Sequence, residues 1–321
     1  MINRALAAAF LTALTAACNP DSDTPPPAQG ASAMPAEVSL PANIVAERGG
    51  FIPEGIEYDA TNGRILTGSL SEGSIFQIHP DGRVTTAVSD PDLVSSVGIE
   101  VDAARNRLLV ANSNSAVFEG VGTGQAMLGV YDLSTGARIE MIDLASTIEG
   151  APADMAHFAN DVAVAADGTA YVTDTFAGIV YRVDYSYRAS VFYQPGGGAT
   201  LGFNGIVVHP DGYLLVAGGE TLWRVPLASP AGASAVQLPE AIPGQDGVVW
   251  MANGNLAIVS NSENRVVALT SSDGWMTAQL AGVAPYEIQG TTAAVVGDEV
   301  YVVHPHFADA DPPSVSRAVF H

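Results

Sequence analysis

Residues 157–174, HFANDVAVAADGTAYVTD, decide the fold. From Val162 the stretch reads as strand, tight turn, strand. Val162, Val164, Tyr171 and Val172 are β-formers, and Asp167-Gly168 is a preferred two-residue hairpin turn. Yet Asn160-Asp161 stand where an apolar run should begin. The same unit returns along the chain: a polar residue, Gly or Asp, then apolar runs broken by turns. One copy starts at Pro53 (PEGIEYDATNGRILTGSL), another at Phe203 (FNGIVVHPDGYLLVAGGE) and another at Gln245 (QDGVVWMANGNLAIVSNS). A degenerate copy, VGIEVDAARNRLLVANSNS, starts at Val97. A weaker sixth runs from about Tyr286 through TTAAVVGDEVYVVH.

The repeated positions are Glu54, Gly98, Asn160, Asn204, Asp246 and a point near Glu287, spaced by 44, 62, 44, 42 and 41 residues. The long gap holds an extra segment, 115–156. It is Gly-rich at FEGVGTGQAMLGV and then carries YDLSTGARIEMIDL, an expected outer hairpin. Units of about 40–45 residues with three or four short strands are β-propeller blades. The expectation is therefore an all-β, six-bladed β-propeller over residues 37–321. A TIM barrel would need amphipathic helices between its strands, and none is visible. A β-sandwich would not repeat at this period. The strand-like ends, 37–47 and 314–320, are placed to complete one blade between them and so close the ring. His79 and His209, both in HPDG, read as residues of equivalent hairpin turns.

The bulk numbers agree. Of 321 residues, 48% are hydrophobic and 14% charged, enough for a large core, and 33 Gly with 20 Pro supply many turns. The net charge of −22, with only 12 Lys and Arg, excludes nucleic acid as a partner. The N-terminus reads as a targeting segment: Arg4, an apolar stretch from Ala5 to Ala17, then Cys18. It resembles a bacterial lipoprotein signal over residues 1–18 with Cys18 lipidated, although Thr15 stands where that signal usually has Leu. The alternative is an ordinary secretory signal cleaved nearby. Asn19 in place of Asp favours the outer membrane. The expected location is the cell envelope, on the periplasmic face, or outside the cell. Residues 19–36 are rich in Pro, Ser and Ala and read as a flexible linker. Cys18 is the only cysteine, so there is no internal disulfide and no thiolate metal site.

In a propeller the innermost strands line a central channel, so residues at one repeat position meet near the axis. Glu54, Asn160, Asn204 and Asp246 share that position. Two carboxylates and two amides offer oxygen alone, which suits a hard cation, Ca²⁺ first, with Mg²⁺, Mn²⁺ and Zn²⁺ as alternatives. The two acids would repel each other in a shielded pocket without a cation or a proton. His157, Glu287, His304 and His306 are candidates for the pocket wall, and Asp161 for a turn cap or a second, structural Ca²⁺. No G-x-S-x-G elbow is present, and GVGTG at 120–124 lacks the strand–helix context of a dinucleotide site. PGGGATLG at 195–202 leads into Asn204 and is a candidate for the substrate rim.

The wording PEGI, FANDVAV, GFNGIVVHPDG and QDGVVW, spread over about 51–305, resembles the gluconolactonase/senescence-marker-protein (regucalcin-like) family. Paraoxonases and fluorophosphatases are more distant likenesses. The resemblance implies a six-bladed propeller with one divalent ion held by Glu54, Asn160, Asn204 and Asp246. It implies hydrolysis of lactones, or of phosphoester and fluorophosphate bonds, with Asp246 as base or nucleophile. Phe158 stands where lactonase members commonly carry an Arg that grips substrate, so an apolar substrate fits this position as well as a sugar lactone does. The expectation is a monomer that takes a small-molecule substrate and meets membrane only through the lipid. The alternative is a non-catalytic calcium-binding propeller that holds a ligand or partner.

Overall fold

The computed structural model describes residues 39–195, 202–307 and 311–321, all within the compact unit Val38–His321. The expected signal, the lipidation site Cys18 and the linker lie outside the described residues, as does most of PGGGATLG. Among the described residues no helix is long and apolar enough to cross a membrane.

Among the described residues six sheets succeed one another along the chain, antiparallel but for one short added strand in the third. The innermost strands are Ile56–Asp59, Ser95–Asp102, His157–Val164, Phe203–His209, Gln245–Trp250 and Ala293–Val296. Each lies beside the next, and the last lies beside the first, so the sheets form a ring of six blades. Helical structure among the described residues is limited to short 3-10 turns. The second strands of blades two and three are buried along their whole length, Arg107–Ser113 and Ala170–Asp174. Six apolar clusters fill the seams between neighbouring blades. Val97, Leu128 and Phe158 join blades two and three, for example, and Tyr213, Ile258 and Trp275 join four and five.

The ring closes with strands from both ends of the chain. Asn43–Val45 pairs antiparallel with Ser314–Arg317 as the outermost strand of blade six, with Val45 opposite Ser314. Ile44 is buried in the seam between blades six and one. The final blade thus draws one strand from the start of the domain, which removes the free edge an open ring would leave.

Two details differ from the sequence reading. The HPDG turns are not equivalent. Asp81-Gly82 lies between Ile75–Ile78 and Val84–Val88, the outer pair of blade one, whereas Asp211-Gly212 lies between the innermost and second strands of blade four. The turn chemistry is shared, with φ of 87° at Gly82 and 85° at Gly212, but its place in the blade is not. The sixth blade's innermost strand also starts later than a point near Glu287, because its repeat position is Thr291.

Segment 115–156 does carry the outer hairpin of blade two, Met127–Asp132 paired with Arg138–Asp143. Before it, Ser115–Glu119 forms a 3-10 turn, and Gly124–Gln125 adds to blade three as a short parallel strand beside His157-Phe158.

Candidate functional site

The repeat pair, Asn160-Asp161 in the third blade, is a β-bulge. The register of the innermost strand against the second shifts between Ala159 and Val162, and likewise between Ser96 and Ile99, Phe203 and Ile206, and Gln245 and Val248. Each bulge holds the two residues at the repeat position. A bulge breaks the alternation of a strand and re-aims a side chain. Here it turns a polar residue toward the axis at the end of an otherwise apolar run.

The second residue of the pair is Gly in four blades because neighbouring backbones touch there. A Cβ on Gly55 would lie 2.8 Å from the Cα of Gly98, one on Gly98 2.6 Å from the Cα of Asp161, and one on Gly247 2.7 Å from the Cα of Thr292. Backbone bonds cross the same seams: Gly55 N–H donates to Val97 O at 3.2 Å and Gly247 N–H to Thr291 O at 2.9 Å. Thr291 Oγ1 donates to Glu54 O at 2.7 Å and joins blade six to blade one. Asp161 takes the glycine's place in blade three. Its Oδ1 accepts from Val162 N–H at 2.9 Å and its Oδ2 from Ile206 N–H of blade four at 3.1 Å. That side chain stitches two blades together.

Glu54, Asn160, Asn204 and Asp246 line one cavity of about 490 Å³, together with Ile52, Leu70, Phe118, Phe158 and Phe307. Glu54, Asn160 and Asp246 are buried. Glu54 Oε2 and Asp246 Oδ1 are buried and, among the described residues, have no hydrogen-bond partner. Leaving two carboxylate oxygens unpaired out of water is costly, and a cation between them would remove the cost. The other oxygen of Asp246 is held: Asn261 donates its Nδ2 to Oδ2 at 2.9 Å, and Gln289 donates to Asn261 Oδ1 in turn. Asn160 donates its Nδ2 to Thr175 Oγ1 at 2.9 Å, and Thr175 donates onward to Phe203 O at 2.6 Å. This commits the amide nitrogen and leaves the Asn160 carbonyl oxygen for the cavity.

Electrostatics point the same way. Burial, then the Asp246 and Asp161 charges, push the Glu54 carboxyl well above its ordinary range. Burial raises Asp246 to about 7, against the hydrogen bonds of Asn261 and Asn204 that lower it. Two acids that resist ionisation in a pocket walled by amide groups fit a hard divalent cation that takes oxygen ligands.

A second cavity, of about 270 Å³, lies on the axis. Glu57, Glu100, Asp161, Val207, Val249 and Ala293, one from each blade, line it. Burial raises Glu57 to about 8 and Asp161 to about 7, and burial with the Glu57 charge raises Glu100 well above the usual range.

The four histidine and glutamate candidates lie apart from the main cavity. Glu287, His304 and His306 line a separate pocket of about 410 Å³ bounded by Asn43, Tyr286 and Ser316. Glu287 stands four residues before Thr291, so it falls outside the ring of repeat positions. His304 Nδ1 lies 2.8 Å from Ile288 O and its Nε2 2.6 Å from Ser316 Oγ. A carbonyl can only accept, so Nδ1 carries the hydrogen and Nε2 takes the serine's. Burial lowers this ring's pKa and so favours its neutral form, and both its nitrogens are used. His157 points away from the cavity that Phe158 lines, as strand alternation requires. Its Nδ1 lies 2.8 Å from Asp174 Oδ2, which also accepts from Tyr181.

Thr175, Asn261, Gln289 and Phe118 were not foreseen. Thr175 and Asn261 each lie fifteen residues after the side chain they hold, Asn160 and Asp246. That common offset, just past the second strand, was available in the repeat.

No protein-family model matches the chain, and no curated protein does. Solved structures match it along most of its length. One is the major allergen Mala s 1 of Malassezia sympodialis, 18% identical, covering 88% of this chain and 97% of the allergen, with a TM-score of 0.72. Another is a calcium-binding protein, regucalcin, from Agrobacterium tumefaciens, also 18% identical, with coverage of 88% and 94% and a TM-score of 0.63. A third is a gluconolactonase from Xanthomonas campestris, 16% identical, with coverage of 87% and 89% and a TM-score of 0.57. At these identities the likeness establishes the fold.

Proposed function

We propose that this propeller is a divalent-cation-dependent hydrolase of lactones or related esters. The observation that carries the reading is the main cavity, where side chains from blades one, three, four and five meet and two buried carboxylate oxygens lack partners. Glu54, Asn160, Asn204 and Asp246 would hold the ion, Ca²⁺ first among the candidates. When bound, it would supply Lewis-acid polarisation of a substrate carbonyl. Structural neighbours that include a regucalcin and a gluconolactonase support the same reading.

Asp246 has the geometry of a general base. Asn261 fixes its Oδ2 and so sets the orientation of the carboxylate at the cavity wall. As a water oxygen bonds to the acyl carbon, the Asp246 carboxylate takes the water's proton. The ring C–O bond then breaks, and the proton passes to the alkoxide it leaves behind. Asn160 and Asn204 serve the ion rather than the substrate, since the Asn160 amide nitrogen is held by Thr175, and the apolar wall keeps bulk water from the reacting atoms.

The test is turnover of simple lactones and aryl esters by the purified protein, by the protein after chelation, and by Asp246→Ala. Loss of a general base costs about 10²- to 10⁴-fold in rate, so Asp246→Ala should reduce turnover by at least the lower figure, and chelation should reduce it by removing the Lewis acid. Turnover untouched by both would overturn the reading. Melting that responds to cation, without turnover of any ester, would favour a non-catalytic ligand-binding propeller.

A further inference from the structure

We infer that the molecule this cavity takes is uncharged and carries an aryl or bulky alkyl group, which seats against Phe118 and Phe158. This rests on the hydrolase reading for the reaction but not for the binding.

The first observation is an aromatic wall. Phe118 and Phe158 meet edge to face, with ring centroids 4.7 Å apart and planes at 71°. Phe176 backs both, 5.1 Å from Phe118 and 6.4 Å from Phe158. Phe158 is 3% exposed, whereas Phe118 is 61% exposed at the cavity. The chain places Phe118 there by local means. Asn114 accepts from Ala116 N–H at 3.1 Å and starts the 3-10 turn, Val117 is buried in the seam of blades two and three, and Phe118 faces out. An exposed aromatic ring backed by two others is a surface that an apolar ligand group would cover.

The second observation is that the cavity's three hydroxyls and the Gln289 amide nitrogen are already engaged, while the Asn160 and Asn204 carbonyl oxygens face the ion site. Ser71 Oγ donates to Gly50 O at 2.6 Å, Ser115 Oγ lies 3.3 Å from Leu70 O, Thr291 donates to Glu54 O, and Gln289 donates to Asn261. A polyhydroxylated ligand would give up its water here and find few partners in return.

The third is charge. Among the described residues the lining holds no Lys or Arg, but it holds Glu54, Glu119 and Asp246. A divalent ion would balance two of these and leave Glu119, so an anionic ligand is disfavoured. A volume of about 490 Å³ lies within the range of small-molecule sites.

The experiment compares kcat/KM for a phenyl-substituted δ-lactone, the unsubstituted δ-lactone and glucono-δ-lactone. It uses the wild type, Phe118→Ser and Phe118→Leu with calcium present, and melting curves establish that both variants fold. In parallel, calorimetry measures binding of the hydrolysis-resistant phenyl-substituted δ-lactam to the same proteins. The wild type should favour the phenyl lactone over both others. Phe118→Ser should cut the ratio of phenyl to unsubstituted lactone by about ten- to hundredfold, the worth of burying an aromatic side chain, and Phe118→Leu should restore most of it. Preference for glucono-δ-lactone, or a ratio unmoved by Phe118→Ser, overturns the inference and leaves the hydrolase standing. Lactam binding that needs Phe118, with no lactone turned over, supports the inference and removes the hydrolase. Absence of both turnover and lactam binding removes both.

Discussion

Asp246 divides its labour between two oxygens, and Asn261 enforces the division. One oxygen takes the Asn261 amide hydrogen, and the other is buried and unpaired. Partners of this kind orient ligands, and their loss commonly weakens a metal site 10- to 100-fold. Asn261→Ala should therefore weaken calcium binding by that factor with the fold intact, as circular dichroism and a calcium titration would report. Unchanged affinity would mean that Asp246 does not need the contact. Which residues could be read beforehand follows from the repeat. Glu54, Asn160, Asn204 and Asp246 stood out because one register recurs across blades, and that register does bring them to one cavity. Thr175 and Asn261 obey the same register fifteen residues on, but a side chain that serves another side chain carries no mark of its own. Phe118 lies in an insertion outside any repeat, so no periodicity could point to it. Glu287 was singled out because the sixth copy lacks the polar-Gly pair that marks the others: Thr291-Thr292 replaces it.

At the scale of the strand, the bulge is the working part. It converts the alternation of an innermost strand into a polar group aimed at the axis, while the glycine beside it lets adjacent backbones close up. Gly98 is the clearest case, since a Cβ there would lie 2.5 Å from Asn160 O and 2.6 Å from the Asp161 Cα. Those atoms are backbone and cannot swing aside. Overpacking of this kind costs about 1–3 kcal/mol, so Gly98→Ala should lower the melting temperature by several degrees and also disturb Asn160. Stability equal to wild type would show that the seam has slack. A pair of polar residue and Gly usually announces a turn, and the bulge could be distinguished only because the pair recurred before similar apolar runs. The strands were legible from their β-branched content and turns. The different placing of the two HPDG turns was not, because turn chemistry does not state which two strands a turn joins.

Across the whole molecule, the axis carries a column of acids. Glu54 and Asp246 line the main cavity, and Asp161, Glu57 and Glu100 line the channel. Burial raises Glu57 to about 8 and Asp161 to about 7, and it raises Glu100 well above the ordinary carboxylate range. In the unfolded chain these groups lose their protons near pH 4. Between about pH 4 and 8 the folded state thus holds protons that the unfolded state has released, so stability falls as pH rises through that window. The cation-free protein should melt several degrees lower at pH 8 than at pH 5, and Glu57→Gln with Glu100→Gln should flatten the difference. A melting temperature that rises from pH 5 to pH 8 would contradict this.

The most direct measurement is calcium titration of the stripped protein by calorimetry at neutral pH. Convergence of four blades on one ion predicts a single saturable site per chain. That site should vanish when Glu54→Gln and Asp246→Asn are combined and persist when Glu57→Gln and Glu100→Gln are combined. Heat of binding that survives the first pair, or no saturable binding in the wild type, would contradict the account.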